Sequence, residues 1–365
     1  MGSEAANNNK EISRRRENML AYPLDDFDLE EDPIGLDKLT DDMKRAALTL
    51  SVAEIRYLVD FYYQMQEFRK RSASQVRQAG TEPDEPAVWT DWVSKNLRRL
   101  EREIKNGLDI YSGGKELGQW VKSITGFGPV LSAGLLAHIN IRRTPHAGTL
   151  WRYAGLDPTL EWLGAAKALD AVNKVMGKEK TVTEKHMSVL SQRHNRVTEN
   201  LKAMAVIVAE GKSGKKSKEP LGFTKDHLVK ALARRPWNAR LKVISWKIGE
   251  SIVKFQNRPG GEFYGIHYVE RKAFEDKMNT DGKLKEQADA GAKRVGRSTE
   301  AYKFYKEGLL PPGHIHSRAK RWVVKLFLSH YHHVAHEIEY GKPPERPWII
   351  VHGGHKDFIP PPNWH

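Results

Sequence analysis

The chain has 365 residues, with 60 Lys and Arg against 46 Asp and Glu and a formal charge of +14. That length accommodates one to three domains with a real hydrophobic core, and the cationic excess favours a polyanionic partner, nucleic acid ahead of a membrane surface. The absence of cysteine excludes thiolate nucleophiles, disulfides and cysteine-ligated zinc. With neither an apolar run of spanning length nor a charged-then-apolar leader, the expectation is a soluble, intracellular (cytoplasmic) protein, nucleoid-associated if bacterial, with no membrane partner.

Residues 1–45 read as a disordered arm, in which Arg14, Arg15 and Arg16 precede the acidic run Asp25, Asp26, Asp28, Glu30, Glu31 and Asp32. Such a single-sign run reads as a solvated tail rather than a metal site. Residues 46–110 read as a helical hairpin. Ile55, Leu58, Val59, Tyr62, Met65 and Phe68 recur at three- and four-residue steps behind a Ser51/Glu54 capping box. GTEPDEP breaks that helix, and a second one from Ala87 carries Trp89, Trp92, Val93, Leu97, Leu100 and Ile104 on a stripe expected to be core. The pair predicts an antiparallel coiled-coil arm through which copies of the chain oligomerise.

Residues 111–342 hold the densest stereochemical signal, at 119–139. Trp120, Val121 and Ile124 close one helix, Gly126 and Gly128 bracket Phe127 in a turn, and Pro129 takes a first helical position ahead of Val130, Leu131, Leu135, Leu136 and Ile139. This reads as a helix-hairpin-helix whose turn aims backbone N–H groups outward at a helix N-terminus, a ready phosphate site. The candidate nucleic-acid-binding residues are Lys122, Thr125, Gly126, Phe127, Gly128 and Val130, with Arg142 and Arg143 after the second helix. An ordinary αα-corner is the alternative.

Thr149 opens a short helix stopped at Gly155. Residues 161–222 are weakly amphipathic and contain a Lys-rich loop, in which Lys212, Lys215, Lys216 and Lys218 either extend a phosphate track or form a plain linker. Thr224 caps a helix that breaks at Arg235-Pro236, and Leu241, Ile244, Ile248 and Ile252 stripe the next, which also carries the candidate Arg240. Between Arg258 and Pro312 only ERKAFEDKM and STEAYKFYKEG look helical. A long helix from Ile315 is ended by Pro343, and 343–365 reads as an extended tail laid on the body. No stretch shows the alternation or βαβ rhythm of a sheet, so the fold class is all-α.

His330, His332, His333 and His336 share a helix face, and His332, His333 and His336 are the metal candidates. Without HExxH the plainer reading is a basic, partly buried face, and no cofactor or divalent metal is assigned. GKSGKK lacks the spacing and the preceding strand of a phosphate loop.

ITGFGPVLSAGLLAHI, then LWRYAGLDP, then RPWNARLKVISWKIGESI, resemble in this order the C-terminal domain of the insertion-sequence transposases of the IS110, IS116 and IS902 class. The likeness is sharp over residues 124–158 and extends over 51–341 with long insertions. It implies that the hairpin leads into an AGLxP motif and a GNxxLR helix, whose place Trp237, Asn238, Ala239, Arg240 and Leu241 take. It also implies that 316–340 is the family's terminal helix and that the helical hairpin stands where the family has a coiled-coil arm. Two departures stand out. The family's RuvC-like nuclease half, with its four metal-binding carboxylates, has no counterpart, and the 25–32 run is no substitute. The family's catalytic serine, in an SG pair between the two later motifs, has only Ser213-Gly214 as candidate.

The resemblance implies a transposase-like protein that binds DNA, with RNA left open, through the phosphate backbone. A serine transposase or recombinase with Ser213 as nucleophile, acting with a guide RNA or a separate nuclease subunit, is the first alternative. An assembly protein oligomerising through its coiled-coil arm is the second.

Overall fold

The computed structural model describes residues 39–79, 88–159, 162–179, 181–194, 200–201, 223–346 and 358–364. Residues 1–38 of the arm expected at 1–45, the 212–218 loop with Ser213, Lys212, Lys215 and Lys216, and residues 347–357 of the tail lie outside them. The rest of that arm is not disordered, because residues 41–45 belong to a helix, Asp41–Ala47, that Thr40 caps. Among the described residues there are fourteen α-helices and no strand, only an isolated bridge between Thr181 and Thr224. The protein is all-α.

Helix α1 (Asp41–Ala47) is capped by Thr40. Helix α2 (Val52–Ala79) starts behind the predicted capping box, where the Ser51 N–H and hydroxyl reach Glu54 at 2.7 and 2.6 Å. Helix α3 (Val88–Gly113) pairs with α2. Ile55, Val59 and Met65 pack with Ile104, Leu108 and Tyr111, and Arg69 bonds Glu101 at 2.6 Å across the pair. The outer part of the expected stripe is not core. Trp89 is 70% exposed, and Trp92, Val93 and Phe68 are exposed as well. The third helix in this cluster, α5, joins it through Val130, Ala133, Ala137 and the partly buried Leu136, none of which reaches the outer end of the pair, so apolar spacing predicted burial farther out than the packing extends.

Helices α4 (Glu116–Ser123) and α5 (Pro129–His138) form the hairpin. A 3₁₀ turn (Ile141–Arg143) and α6 (Ala147–Tyr153) follow, and Gly155 at φ +69° ends α6 as expected. Helices α7 (Gly164–Met176), α8 (Glu184–Arg193) and α9 (Lys225–Ala233) share a separate small core around Val172, Leu190 and Leu228. Helix α10 (Ala239–Phe255) and α11 (Glu262–Thr280) pack on α14 (Pro312–Tyr340), the 29-residue element that carries the main core. Short helices α12 (Lys285–Ala292) and α13 (Glu300–Lys306) pack together around Leu284, Ala288 and Tyr305.

Most of α11 and all of α12 were not expected. FYGIHYV combines aromatic residues with a glycine, which lowers helix propensity, but tertiary packing overrides it. Tyr264 and Tyr268 are buried, and a Cβ on Gly265 would come within 2.7 Å of the Gln256 Cα. Helix α14 begins earlier than expected, with Pro312 at a first-turn position, and ends at Gly341 in the left-handed region rather than at Pro343. Residues 358–364 lie on the body. The Trp120 indole donates to the Pro362 carbonyl at 2.8 Å, and the Asn363 amide to the Ser123 carbonyl at 3.0 Å.

Phe127 inserts from the hairpin turn into this core. Its ring sits 4.8 Å edge-on from Phe327 and 6.3 Å from Tyr264, while Trp120 stacks on Phe327 at 6.1 Å. Phe127→Ala is therefore expected to cost about 3–5 kcal/mol of unfolding free energy in urea titration. A loss under about 1 kcal/mol is incompatible with this packing.

Candidate nucleic-acid interface

The hairpin turn is built by local stereochemistry. Helix α4 stops at Ser123, Ile124 is extended, and the Phe127 N–H donates back to the Ile124 carbonyl at 3.0 Å. Gly126 adopts φ +91°, which L side chains rarely adopt. Its carbonyl accepts from the Ser251 hydroxyl, and a Cβ there would fall 2.8 Å from the Phe255 ring. Gly128 then becomes the N-cap of α5 in extended conformation, with no side-chain cap and with Pro129 next. Of the predicted turn residues, Phe127 has its ring in the core and its N–H bonded within the turn. Val130 is buried, so its side chain makes no ligand contact. The Thr125 hydroxyl donates to the Pro259 carbonyl at 3.3 Å.

The predicted cations do not surround this turn. Lys122 is paired with Asp109 at 2.6 Å. Arg142 and Arg143 lie on the 3₁₀ turn beyond the other end of α5, about 15 Å away at the rise of an α-helix, and Arg142 bonds Glu339 at 2.6 Å. Arg240 pairs with Asp60 of α2 at 3.1 Å. Sequence reasoning missed Lys254 and Arg258, which stand 5.6 and 5.3 Å from the centre of the Phe255 ring that abuts Gly126. Nothing in their local sequence connects them with a turn more than a hundred residues earlier.

The three motifs that carried the resemblance meet at the N-terminus of α10. The Asn238 carboxamide oxygen caps the helix, accepting from the Arg240 and Leu241 amides at 3.0 Å each, while its nitrogen donates to the Tyr153 hydroxyl at 2.8 Å. The same nitrogen lies 3.4 Å from Nδ1 of His138, the residue that ends α5. His138 is buried, and its Nε2 has no hydrogen-bond partner among the described residues. Burial, with the Arg56 and Arg240 charges nearby, pushes its pKa down to about 4. These contacts position the helices; the signal that marks them is Asn238, a strong N-cap residue directly before an apolar-periodic run.

The histidine candidates for a metal separate. His332 Nε2 donates to the Thr144 carbonyl at 2.8 Å, His336 Nδ1 donates to the Lys342 carbonyl at 2.9 Å, and His333 lies 3.6 Å from Glu337. His330 is buried between the Ile359 carbonyl, to which its Nε2 donates, and the Tyr264 hydroxyl. That burial lowers its pKa to about 4. Among the described residues no group of three or more His, Asp or Glu is placed to share an ion. The helical spacing that suggested a shared ligand set instead distributes the rings over different partners, two backbone carbonyls and the Glu337 carboxylate.

Residues 118–174, from α4 into α7, match the transposase family IS116/IS110/IS902. No curated protein and no solved structure matches the chain at a significant level. No helix among the described residues is long and apolar enough to cross a membrane.

His138 and His330 are held neutral in the folded chain, with pKa about 4 against an unfolded value of about 6.5. Between those values the unfolded chain binds more protons, so stability is complete above pH ~6.5 and declines as pH falls toward about 4. Denaturant titrations at about pH 7 and about pH 5 are expected to show this loss. His138→Gln or His330→Gln should each flatten the slope by up to about 1.4 kcal/mol per pH unit. An unchanged slope in both variants contradicts the assignment.

Proposed function

From the match of residues 118–174 to the IS116/IS110/IS902 transposase family, we propose that the chain is a DNA-binding, transposase-like protein that holds the phosphodiester backbone at the turn between α4 and α5. The observation that carries this is Gly128. Its φ of −87° and ψ of −176° are open to any residue, it is exposed, and a Cβ there would meet nothing within 4 Å. Neither the conformation nor the packing of the chain asks for glycine at this position, whereas a ligand approaching the backbone does.

A phosphate at Gly128 faces the first-turn amides of α5, which no side chain caps. The aligned peptide dipoles of the ten-residue helix place partial positive charge at the same end. Lys254 and Arg258, beside Phe255, supply full charges near the turn. Contacts of this type fix the position of a strand without reading its bases, and they displace counterions.

Aspartate at Gly128 separates binding from folding, because its carboxylate would cap α5 and occupy the amides meant for phosphate. Gly128→Asp is expected to keep or raise the melting temperature while weakening duplex DNA binding by about tenfold or more, ~1.4 kcal/mol. Gly126→Ala should instead destabilise the fold by about 1–3 kcal/mol through its positive φ. In the unaltered protein, the logarithm of the binding constant should fall linearly with the logarithm of salt concentration in anisotropy titrations. Unaltered affinity in Gly128→Asp removes the hairpin turn from the interface.

A further inference from the structure

A second concentration of charge lies at the other end of α10, about 20 Å along the helix from Phe255 at 1.5 Å per residue. Three cations there sit over indole rings. The Lys242 ammonium is 3.9 Å from the centre of Trp237, the Arg235 guanidinium 4.6 Å from Trp162, and the Lys325 ammonium 5.4 Å from Trp151. Two of the platforms are pinned by their own N–H groups, Trp162 to the Ala233 carbonyl at 2.8 Å and Trp151 to the Lys325 carbonyl at 3.0 Å. Trp237 lies against Gly155, where a Cβ would fall 2.8 Å from the ring. Exposed Arg321 on α14 acts electrostatically on both Lys242 and Lys325.

What distinguishes this group is how its charges are held. Nearby Arg271 and Arg318 both bond Glu275, at 2.9 and 2.6 Å, and Lys320 bonds Glu250. Among the described residues, Arg235, Lys242, Arg321 and Lys325 have no carboxylate at ion-pair distance. Two acids act on the group and both are engaged elsewhere: Asp157, which acts on Lys325, is bonded to Thr159 and lies 3.3 Å from Arg152, and Glu275, which acts on Arg321, is bonded by Arg271 and Arg318. An indole face orients a cation without neutralising it, so Arg235, Lys242 and Lys325 keep their charge, and Arg321, which no indole holds, adds a repelling charge beside Lys242 and Lys325. Burial first, then Arg321 and Arg235, hold the Lys242 ammonium below its usual range. Such repulsion is unfavourable in the free protein and is relieved by a polyanion.

We propose that Arg235, Lys242, Arg321 and Lys325 form a second phosphodiester-binding surface for nucleic acid, separate from the hairpin turn. The inference rests on the nucleic-acid-binding reading of the chain but not on the hairpin as the contact point. A backbone laid across the four cations places its phosphates at three charges already oriented by tryptophan, Arg235, Lys242 and Lys325, with less side-chain entropy left to lose, and at exposed Arg321 beside them.

The test is anisotropy of a fluorescein-labelled DNA duplex, and of the same sequence as RNA, titrated with the full chain over a potassium chloride series. Lys242→Gln combined with Arg321→Gln is expected to reduce the slope of log affinity against log salt by about 0.9 per lost contact on duplex DNA. Lys283→Gln, an exposed lysine in the turn between α11 and α12, should leave the slope as it was. A double variant with the slope of the unaltered protein, or one no different from Lys283→Gln, overturns the proposal. If Gly128→Asp binds normally while the double variant does not, the hairpin reading fails and this one stands. If neither DNA nor RNA binds the unaltered chain, both fall.

Discussion

Helix α5 is buried on two sides at once, and the arrangement of the molecule follows from that. Leu131 and Leu135 face the core carried by α10 and α14, while Val130, Ala133 and Ala137 face α2 and α3. One ten-residue helix thereby joins the long helical pair to the bundle. A helix enclosed in this way can offer a ligand little besides its ends, and its N-terminal end is the one left without a side-chain cap. Phe127 fixes that end in space, because a ring wedged between Phe327 and Tyr264 cannot shift without disturbing α11 and α14.

The hairpin was legible in the sequence because its instructions are local. A glycine needing positive φ, a proline fit for a first helical turn and a short apolar stripe all act within a few residues of one another. The same holds for the Ser51 capping box and for the all-α class. Legibility ended where one residue's role depends on another far along the chain. Trp89 and Phe68 have core spacing but no covering element among the described residues, and Arg142 and Arg143 follow the hairpin in sequence while lying at the wrong end of α5. The tryptophan-held cations come from residues 151, 162, 235–242 and 321–325, and no periodicity links such segments.

The molecule holds its cations by two different means, and the difference bears on function. Glu275 holds Arg271 and Arg318, and Asp109 holds Lys122, so those charges serve mainly to tie elements together. Where a ring is the partner and no carboxylate is bonded, as for Lys242 over Trp237, orientation is gained and the field survives. The net charge of +14 is therefore a poor guide to where a polyanion binds. Because Arg271 and Lys320 lie over rings as well as against Glu275 and Glu250, it is the lack of a bonded carboxylate, rather than the presence of a ring, that indicates which part of that charge remains available.

Residues 358–364 bear on how the matched segment comes to be folded. The Trp120 indole reaches the Pro362 carbonyl across 242 positions, and His330 reaches the Ile359 carbonyl beside it. The segment 118–174 also rests on α14, so its floor and one of its edges are synthesised long after the segment itself. During translation the hairpin emerges as a helix pair with an unfinished apolar side, and loop closure over most of the chain must precede its completion. It is not a portable module: an excised 118–174 fragment would keep the motif and lose the surfaces that hold its turn in register.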